Sequence, residues 1–94
     1  MATYFLLGKY SQESINQISS ARTKKVAETI EKLGGKVKSM YALLGEKDVA
    51  VLVDLPSSKD ALKASLALAK STGISFTSVE AIAMEDFDRL AKEA

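Results

Sequence analysis

Three tyrosines and one glutamate are the residues of this chain best suited to do chemistry in a shared pocket. Tyr4 and Tyr10 stand in the first apolar run, Tyr41 in a middle run and Glu80 in the last. Tyrosine hydroxyls can orient a small ligand, and a carboxylate can accept or donate a proton. The same residues also suit a self-association interface without any ligand, because tyrosine has an apolar body and a polar tip. Both interpretations stay open.

Two acidic segments are weaker candidates. In the turn Gly45–Asp48, Asp48 could polarise a ligand at the mouth of a pocket, although glycine and aspartate also serve the geometry of a turn. The acids of Glu85–Asp88 carry the charge that a hard cation needs. Their place in the first turn of a helix is explained by the helix dipole, and their spacing matches no calcium loop. We therefore expect no metal site.

The composition excludes several classes of protein. The chain has neither cysteine nor histidine, so thiolate and imidazole metal sites and most hydrolase mechanisms are not available. Its 13 basic and 12 acidic residues leave a net charge of +1, which gives no reason to expect nucleic acid or an anionic membrane as a partner. The six basic residues between Arg22 and Lys38 are interpreted as a solvated helix face.

The same features bear on cofactor and compartment. We expect no cofactor, and the lack of cysteine suits a reducing cytoplasm. The apolar run near the N-terminus is too short and lacks the basic segment of a signal peptide. No run approaches the ~18 apolar residues of a membrane helix. We therefore expect a cytoplasmic protein with no membrane partner.

The hydrophobic pattern predicts four strands and two main helices in one domain, residues 1–94. The strands are predicted at 3–10, 36–44, 48–54 and 74–83. Helical spacing of apolar residues precedes Gly34 and again precedes Gly73, where glycine ends each helix. Ser57 is the predicted cap of the second helix. A further short helix begins at Met84, and Ile15 marks an extra helical turn.

This order of elements predicts an α+β fold. A strand, a helix, a hairpin, a second helix and a fourth strand form the βαββαβ unit of the ferredoxin-like sandwich. In that fold the antiparallel sheet has the order 4-1-3-2, with both helices on one face. The first and third strands are apolar on both faces, as central strands should be.

The alternation of side chains along each strand allows the two faces of the sheet to be assigned. The residues expected to face the helices are Phe5, Leu7, Met40, Ala42, Leu44, Val49, Val51, Val53, Val79 and Ala81. Those expected on the free face are Tyr4, Leu6, Gly8, Tyr10, Ser39, Tyr41, Leu43, Ala50, Leu52, Phe76, Ser78, Glu80 and Ile82. An apolar face of this size needs a cover, which predicts a two-fold dimer or a multiple of dimers.

Several segments resemble a known family. They are Thr3-Tyr4, Lys9-Tyr10, Leu33-Gly34-Gly35-Lys36-Val37 and above all Gly45-Glu46-Lys47-Asp48-Val49. Together they are similar to the GYD domain family of small bacterial and archaeal proteins, with Lys47 at the position of the family's tyrosine. The resemblance implies a dimeric α+β barrel, a group that also contains cofactor-free monooxygenases and ligand-sensing domains of transcription regulators.

The sequence thus predicts a small oligomeric domain that binds a small ligand or acts as an assembly module through a dimeric α+β barrel. An alternative is a cofactor-independent monooxygenase- or isomerase-like enzyme that uses the barrel cavity. A regulatory subunit that binds a partner protein is a third possibility. Whether the chain is an enzyme stays open. The candidate ligand-binding residues are Tyr4, Tyr10, Tyr41, Glu80 and Asp48.

Overall fold

A computed structural model describes every residue from Met1 to Ala94. Its elements, in chain order, are β1 (Ala2–Lys9), α1 (Gln12–Ile15), α2 (Ser20–Lys32), β2 (Lys36–Ala42), β3 (Val49–Leu55), α3 (Ser58–Thr72), β4 (Ser75–Ala81) and α4 (Met84–Glu93). The four strands form one antiparallel sheet in the order β2-β3-β1-β4, which is the predicted order read from the other edge. The predicted α+β fold with an extra C-terminal helix is confirmed.

The two main helices end at the glycines that the sequence indicated, and α3 begins at its predicted cap. The Ser57 hydroxyl accepts a hydrogen bond from the Asp60 amide and caps α3. Gly73 ends α3 with a φ of +75°, and Gly34 follows α2 with a φ of +81°. These left-handed dihedrals cost a residue with a Cβ more than they cost glycine. The early helical turn is the four-residue α1, capped by reciprocal bonds between Ser11 and Ser14.

The face of the sheet that packs on the helices consists of three rows of paired residues. The rows are Val37-Val53-Tyr4-Glu80, Met40-Val51-Leu6-Ser78 and Ala42-Val49-Gly8-Phe76, each read from β2 to β4. Tyr4, Leu6, Val51 and Val53 belong to the buried core together with Ile30 and Leu68 of the helices. The predicted helix-facing set is therefore right for Met40, Ala42, Val49, Val51 and Val53.

The prediction for the two other strands was wrong. Phe5 and Leu7 of β1, and Val79 and Ala81 of β4, lie on the open face, while Tyr4, Leu6, Gly8, Phe76, Ser78 and Glu80 lie on the helix side. Because β1 is apolar at nearly every position, its hydrophobic pattern does not distinguish the two faces. Glu80 avoids the cost of burial because it is exposed at the end of an edge strand.

Close packing at Gly8 shows why β1 turns this way. A Cβ at this position would lie 2.6 Å from Val49, 2.8 Å from Phe76 and 2.9 Å from Ile74. Those side chains occupy the space that Gly8 leaves on the helix side. Nearby, the Ser78 hydroxyl lies 2.5 Å from the Ser65 hydroxyl of α3 and fixes β4 beneath that helix.

The loop that connects β2 and β3 is longer than predicted. The two strands pair Ala42 with Val49 and Met40 with Val51, whereas a three-residue turn would have placed Ala42 opposite Val51. The shift of two residues preserves which face each side chain occupies, because the alternation has a period of two. A β-bulge at Lys38 adds one residue to β2. Leu44 was predicted to face the helices but is fully exposed in the connecting loop.

The open face carries three further rows. They are Lys36-Asp54-Thr3-Ala81, Ser39-Leu52-Phe5-Val79 and Tyr41-Ala50-Leu7-Thr77. No helix of the chain covers this face, since both α2 and α3 lie on the other side of the sheet. The second and third of these rows are mainly apolar. The first is mainly polar, and its Asp54 forms an ion pair with Lys38.

The C-terminal helix differs from the other elements. None of the residues of α4 is buried, and the helix has no extensive packing against another element of the chain. The molecule is accordingly elongated, with extents of 48 × 29 × 19 Å. None of the helices combines the length and the apolar character needed to cross a bilayer.

Candidate functional site

The five candidate residues are distributed over three places and do not share one face. Tyr4 and Glu80 are paired across β1 and β4 on the helix side. Tyr10 follows the end of β1 and lies against α2, where Asp48 contacts its backbone. Tyr41 alone projects from the open face, with 56% of its surface exposed. The prediction that the three tyrosines and Glu80 share the open face was wrong, because β1 presents its other side to the helices.

Asp48 connects three segments of the chain. Its carboxylate accepts a hydrogen bond of 2.8 Å from the Tyr10 amide. Its own amide donates to the Gly8 carbonyl at 2.8 Å, and its carbonyl accepts from the Leu43 amide at 2.9 Å. A side chain that receives a backbone donor in this way fixes the start of the following loop. Asp48 therefore holds the end of β1 against the β2–β3 hairpin.

Beside this contact, a cavity of about 50 Å³ lies between α2 and the helix side of the sheet. Its wall is apolar and is formed by Val26, Met40, Val49, Val51, Ile74 and Phe76. Its polar groups are Tyr10, Arg22 and Thr23. A water molecule takes roughly 10 to 15 Å³ on this measure, so the cavity has room for about four water-sized groups.

Arg22 is the cation of this cavity. Its guanidinium carbon lies 5.3 Å from the centroid of the Tyr10 ring, a cation–π distance, and one of its nitrogens donates to the Ser14 carbonyl at 2.6 Å. A guanidinium has five N–H donors, so most of them remain free to bind an anion. Half-buried and held from two sides, Arg22 has a defined orientation.

Sequence reasoning missed Arg22 as a site residue. It belongs to the basic stretch that was interpreted as a solvated helix face, and its contact with Tyr10 spans two different elements. The only local signal is its place three residues after Ser19, the cap of α2, where helix geometry directs the side chain back along the chain.

Tyr4 is buried in the core, with 4% of its surface exposed. Burial first, and then the negative charges of Glu80 and Asp60, raise the pKa of its phenol above the ordinary value of 10.0. The phenol therefore stays protonated at neutral pH. Tyr4 can act as a hydrogen-bonding group but is unsuited to be a general base.

Three apolar surfaces remain uncovered. The first is the centre of the open face, where Phe5, Leu7 and Leu52 are half-buried by their neighbours in the sheet and no helix lies over them. The second is the stripe of Met84, Phe87 and Leu90 on α4, each more than half exposed. The third is a groove between α3 and β4, where Leu62 and Leu66 are 62% and 61% exposed. Exposed apolar patches of this extent mark interaction surfaces.

Comparison with known proteins identifies the family. The model of the GYD domain matches residues 4–91 of this chain. The chain belongs to the GYD domain family. None of the curated proteins compared with the chain matches it.

This GYD domain is also similar to a solved regulator. The leucine response regulatory protein (LrpA) of Mycobacterium tuberculosis superposes with a TM-score of 0.58 at 13% sequence identity. The match covers 87% of this chain and 51% of the regulator, so the GYD domain spans about half the regulator's length. At this identity the similarity shows the fold alone.

Removal of the Asp48 carboxylate should destabilise the GYD domain. Asp48→Ala leaves the Tyr10 amide without its acceptor, and loss of a charge-assisted hydrogen bond to a partly buried group costs about 1 to 3 kcal/mol. Urea unfolding followed by circular dichroism measures the difference. Glu28→Ala on the exposed side of α2 is the control and should stay within about 0.5 kcal/mol of the parent. Equal stability of the two variants would contradict the role given to Asp48.

Tyr4 should make the stability of the protein fall in alkaline solution. Its pKa is raised in the folded state, so the folded protein retains a proton that the unfolded chain releases near pH 10. The favourable contribution is complete below about pH 10 and is lost as the pH rises through the folded pKa. Urea unfolding of the parent and of Tyr4→Phe at pH 8 and at about pH 11 tests this difference. The decline should be smaller in Tyr4→Phe, and identical declines would exclude Tyr4 as the cause.

Proposed function

We propose that this GYD domain is a homo-oligomeric module that assembles through the open face of its sheet and binds a small ligand. The proposed assembly rests on one observation, the uncovered centre of that face. Phe5, Leu7 and Leu52 lie on the two central strands, opposite the helices, and a sheet of a soluble domain rarely leaves such a surface to water.

A second copy of the same face is the occupant that the surface fits best. A two-fold contact brings the same patch of both copies together, so the apolar centre of one face covers the apolar centre of the other without an unpaired charge between them. The polar row of Lys36, Asp54 and Thr3 lies at one end of the face. Tyr41 lies on the edge strand β2, where its hydroxyl stays within reach of water. Two sheets packed in this way form the barrel that the family resemblance implies.

The cavity at Arg22 supports the second half of the proposal. An apolar wall with a guanidinium and two hydroxyl-bearing side chains at the polar end suits a small carboxylate with a short hydrocarbon tail. Its size limits the ligand to roughly two to four carbons. The regulator with the same fold is named for a response to leucine, which supports a sensing role for a domain of this shape.

Assembly through the open face should be lost on charge insertion. Leu52→Glu places a carboxylate among Phe5 and its neighbours, and desolvation of that charge disfavours the contact. Sedimentation velocity at micromolar concentration should show a dimer or a multiple of dimers of the 10.1 kDa chain for the parent and a shift toward a smaller species for the variant. Ile18→Glu, at an exposed apolar residue outside the sheet, is the matched control and should sediment like the parent. A parent that sediments as a monomer would refute the assembly.

Ligand binding should depend on the guanidinium. Propionate added to the nitrogen-15-labelled protein should shift the Arg22 side-chain signal and the amides around Tyr10, whereas propan-1-ol, which lacks the charge, should not. Arg22→Gln should abolish the shifts. Lys25→Gln, which removes the same charge from an exposed position of α2, should retain them. Equal responses to acid and alcohol would contradict a carboxylate site.

A further inference from the structure

The least explained feature of the fold is that α4 is amphipathic but its apolar stripe is left largely uncovered. Its apolar residues Met84, Phe87 and Leu90 are 69%, 55% and 53% exposed. They recur at three-residue spacing and so form one stripe along the helix. A ten-residue helix with no buried residue is marginal in water, because helices of this length gain most of their stability from packing. The stripe therefore needs a partner surface.

Every copy of the protein carries a surface that could receive this stripe, and it lies away from the open face. The groove between α3 and β4 has a volume of about 360 Å³ and is mainly apolar, with Leu62, Leu66, Ala69 and Phe76 among its lining residues. An apolar groove beside a helix suits one amphipathic helix laid along α3, a recurrent mode of recognition in which apolar residues at helical spacing fill a groove.

Charge on the two surfaces is complementary. Lys59, Lys63 and Lys70 lie on the solvent side of the groove at helical spacing from Leu62 and Leu66, and Asp60 is the only acid of α3. The helix α4 has four acidic and two basic residues. Asp86 forms an ion pair with Arg89 of its own helix, whereas Asp88, on the flank of the stripe, has no ion-pair partner. Docking would bring Asp88 close to the lysines.

The position of α4 in the chain favours the groove of another copy. The helix leaves from the end of β4, whereas Phe76 and Ser75 of the groove lie at its start, about 20 Å away along the strand. Only Ile82 and Ala83 link β4 to α4, and α4 itself is about 15 Å long. Folded back on its own chain, the helix would leave the Phe76 end of the groove uncovered. The α4 helix of a second copy is not tied to this end of β4 and can reach the whole groove.

We infer that two copies exchange their α4 helices, each helix docking in the α3–β4 groove of the other copy. One helix in one groove buries well under the ~1,200 Å² of a stable interface, and reciprocal exchange doubles the area. Reciprocal exchange of identical elements also satisfies this contact between two subunits, with no α4 helix or groove left over in the pair. This contact uses a different surface from the open face of the sheet, so it stands independently of the assembly proposed above.

Cysteine crosslinking tests the exchange, because the chain has no cysteine of its own. Asp88→Cys and Lys63→Cys are prepared as separate proteins, mixed, equilibrated and treated with a short bis-maleimide. The expected product is a crosslinked dimer in the mixture, at several times the yield from either variant alone. Lys25→Cys, on the exposed side of α2, replaces Lys63→Cys as the control and should give only the background yield.

The same experiment distinguishes the other surfaces on which α4 could dock. A protein that carries both substitutions in one chain should also yield crosslinked dimer, and closure within a single chain would show that α4 folds back on itself. A higher yield from Asp88→Cys with Lys38→Cys, beside the open face, would place α4 on the sheet and overturn the inference. The inference would also be overturned if every pair of cysteine variants gave only the background yield of crosslink while the protein remained dimeric.

The Leu52→Glu variant separates this inference from the proposed function. If its oligomeric state equals that of the parent while Asp88 and Lys63 crosslink, assembly through the open face fails and the exchange stands. If Leu52→Glu dissociates the protein, and the Asp88→Cys and Lys63→Cys variants that keep Leu52 give no crosslink above background, only the exchange fails. Phe87→Ser with Leu90→Ser should lower the crosslink yield to background without unfolding the domain, since neither residue contributes to the core.

Discussion

The position of β1 between β3 and β4 decides most of what this molecule can do. Once Tyr4 pairs with Val53 on one side and with Glu80 on the other, every side chain of the sheet is assigned to one of two faces. The choice between the two orientations depends on Gly8, which leaves space on the helix side for Val49, Ile74 and Phe76. A larger residue there would require the helix-side packing to change.

This orientation determines where chemistry is possible. It buries Tyr4 and raises the pKa of its phenol, and it leaves Glu80 exposed at the edge of the sheet. An acid–base pair in an enclosed pocket, as an enzyme of the barrel type would need, is therefore not formed by these two residues. The groups that do converge are Tyr10, Arg22 and Thr23, and their arrangement is better suited to holding an anion than to moving a proton.

The same orientation leaves apolar side chains of the sheet outside the buried core. A chain of this length has a high ratio of surface to volume, so covering further area by association is a general route to stability. The open face and the α3–β4 groove lie on opposite sides of the sheet, which allows one copy to take part in two kinds of contact. The family match shows that the chain is a GYD domain, and the similarity to a solved regulatory protein shows its fold.

The amino-acid sequence alone determined the order of elements, the antiparallel sheet order and the helix ends, because these follow from local periodicity, capping residues and glycines such as Gly73. It also specified the faces of β2 and β3, where one face is more apolar than the other. Tertiary structure alone decided the orientation of β1 and β4, since a strand that is apolar on both sides fits either way until Gly8 meets its neighbours. The contact of Arg22 with Tyr10 likewise depends on two elements meeting in space, and no local pattern encodes it.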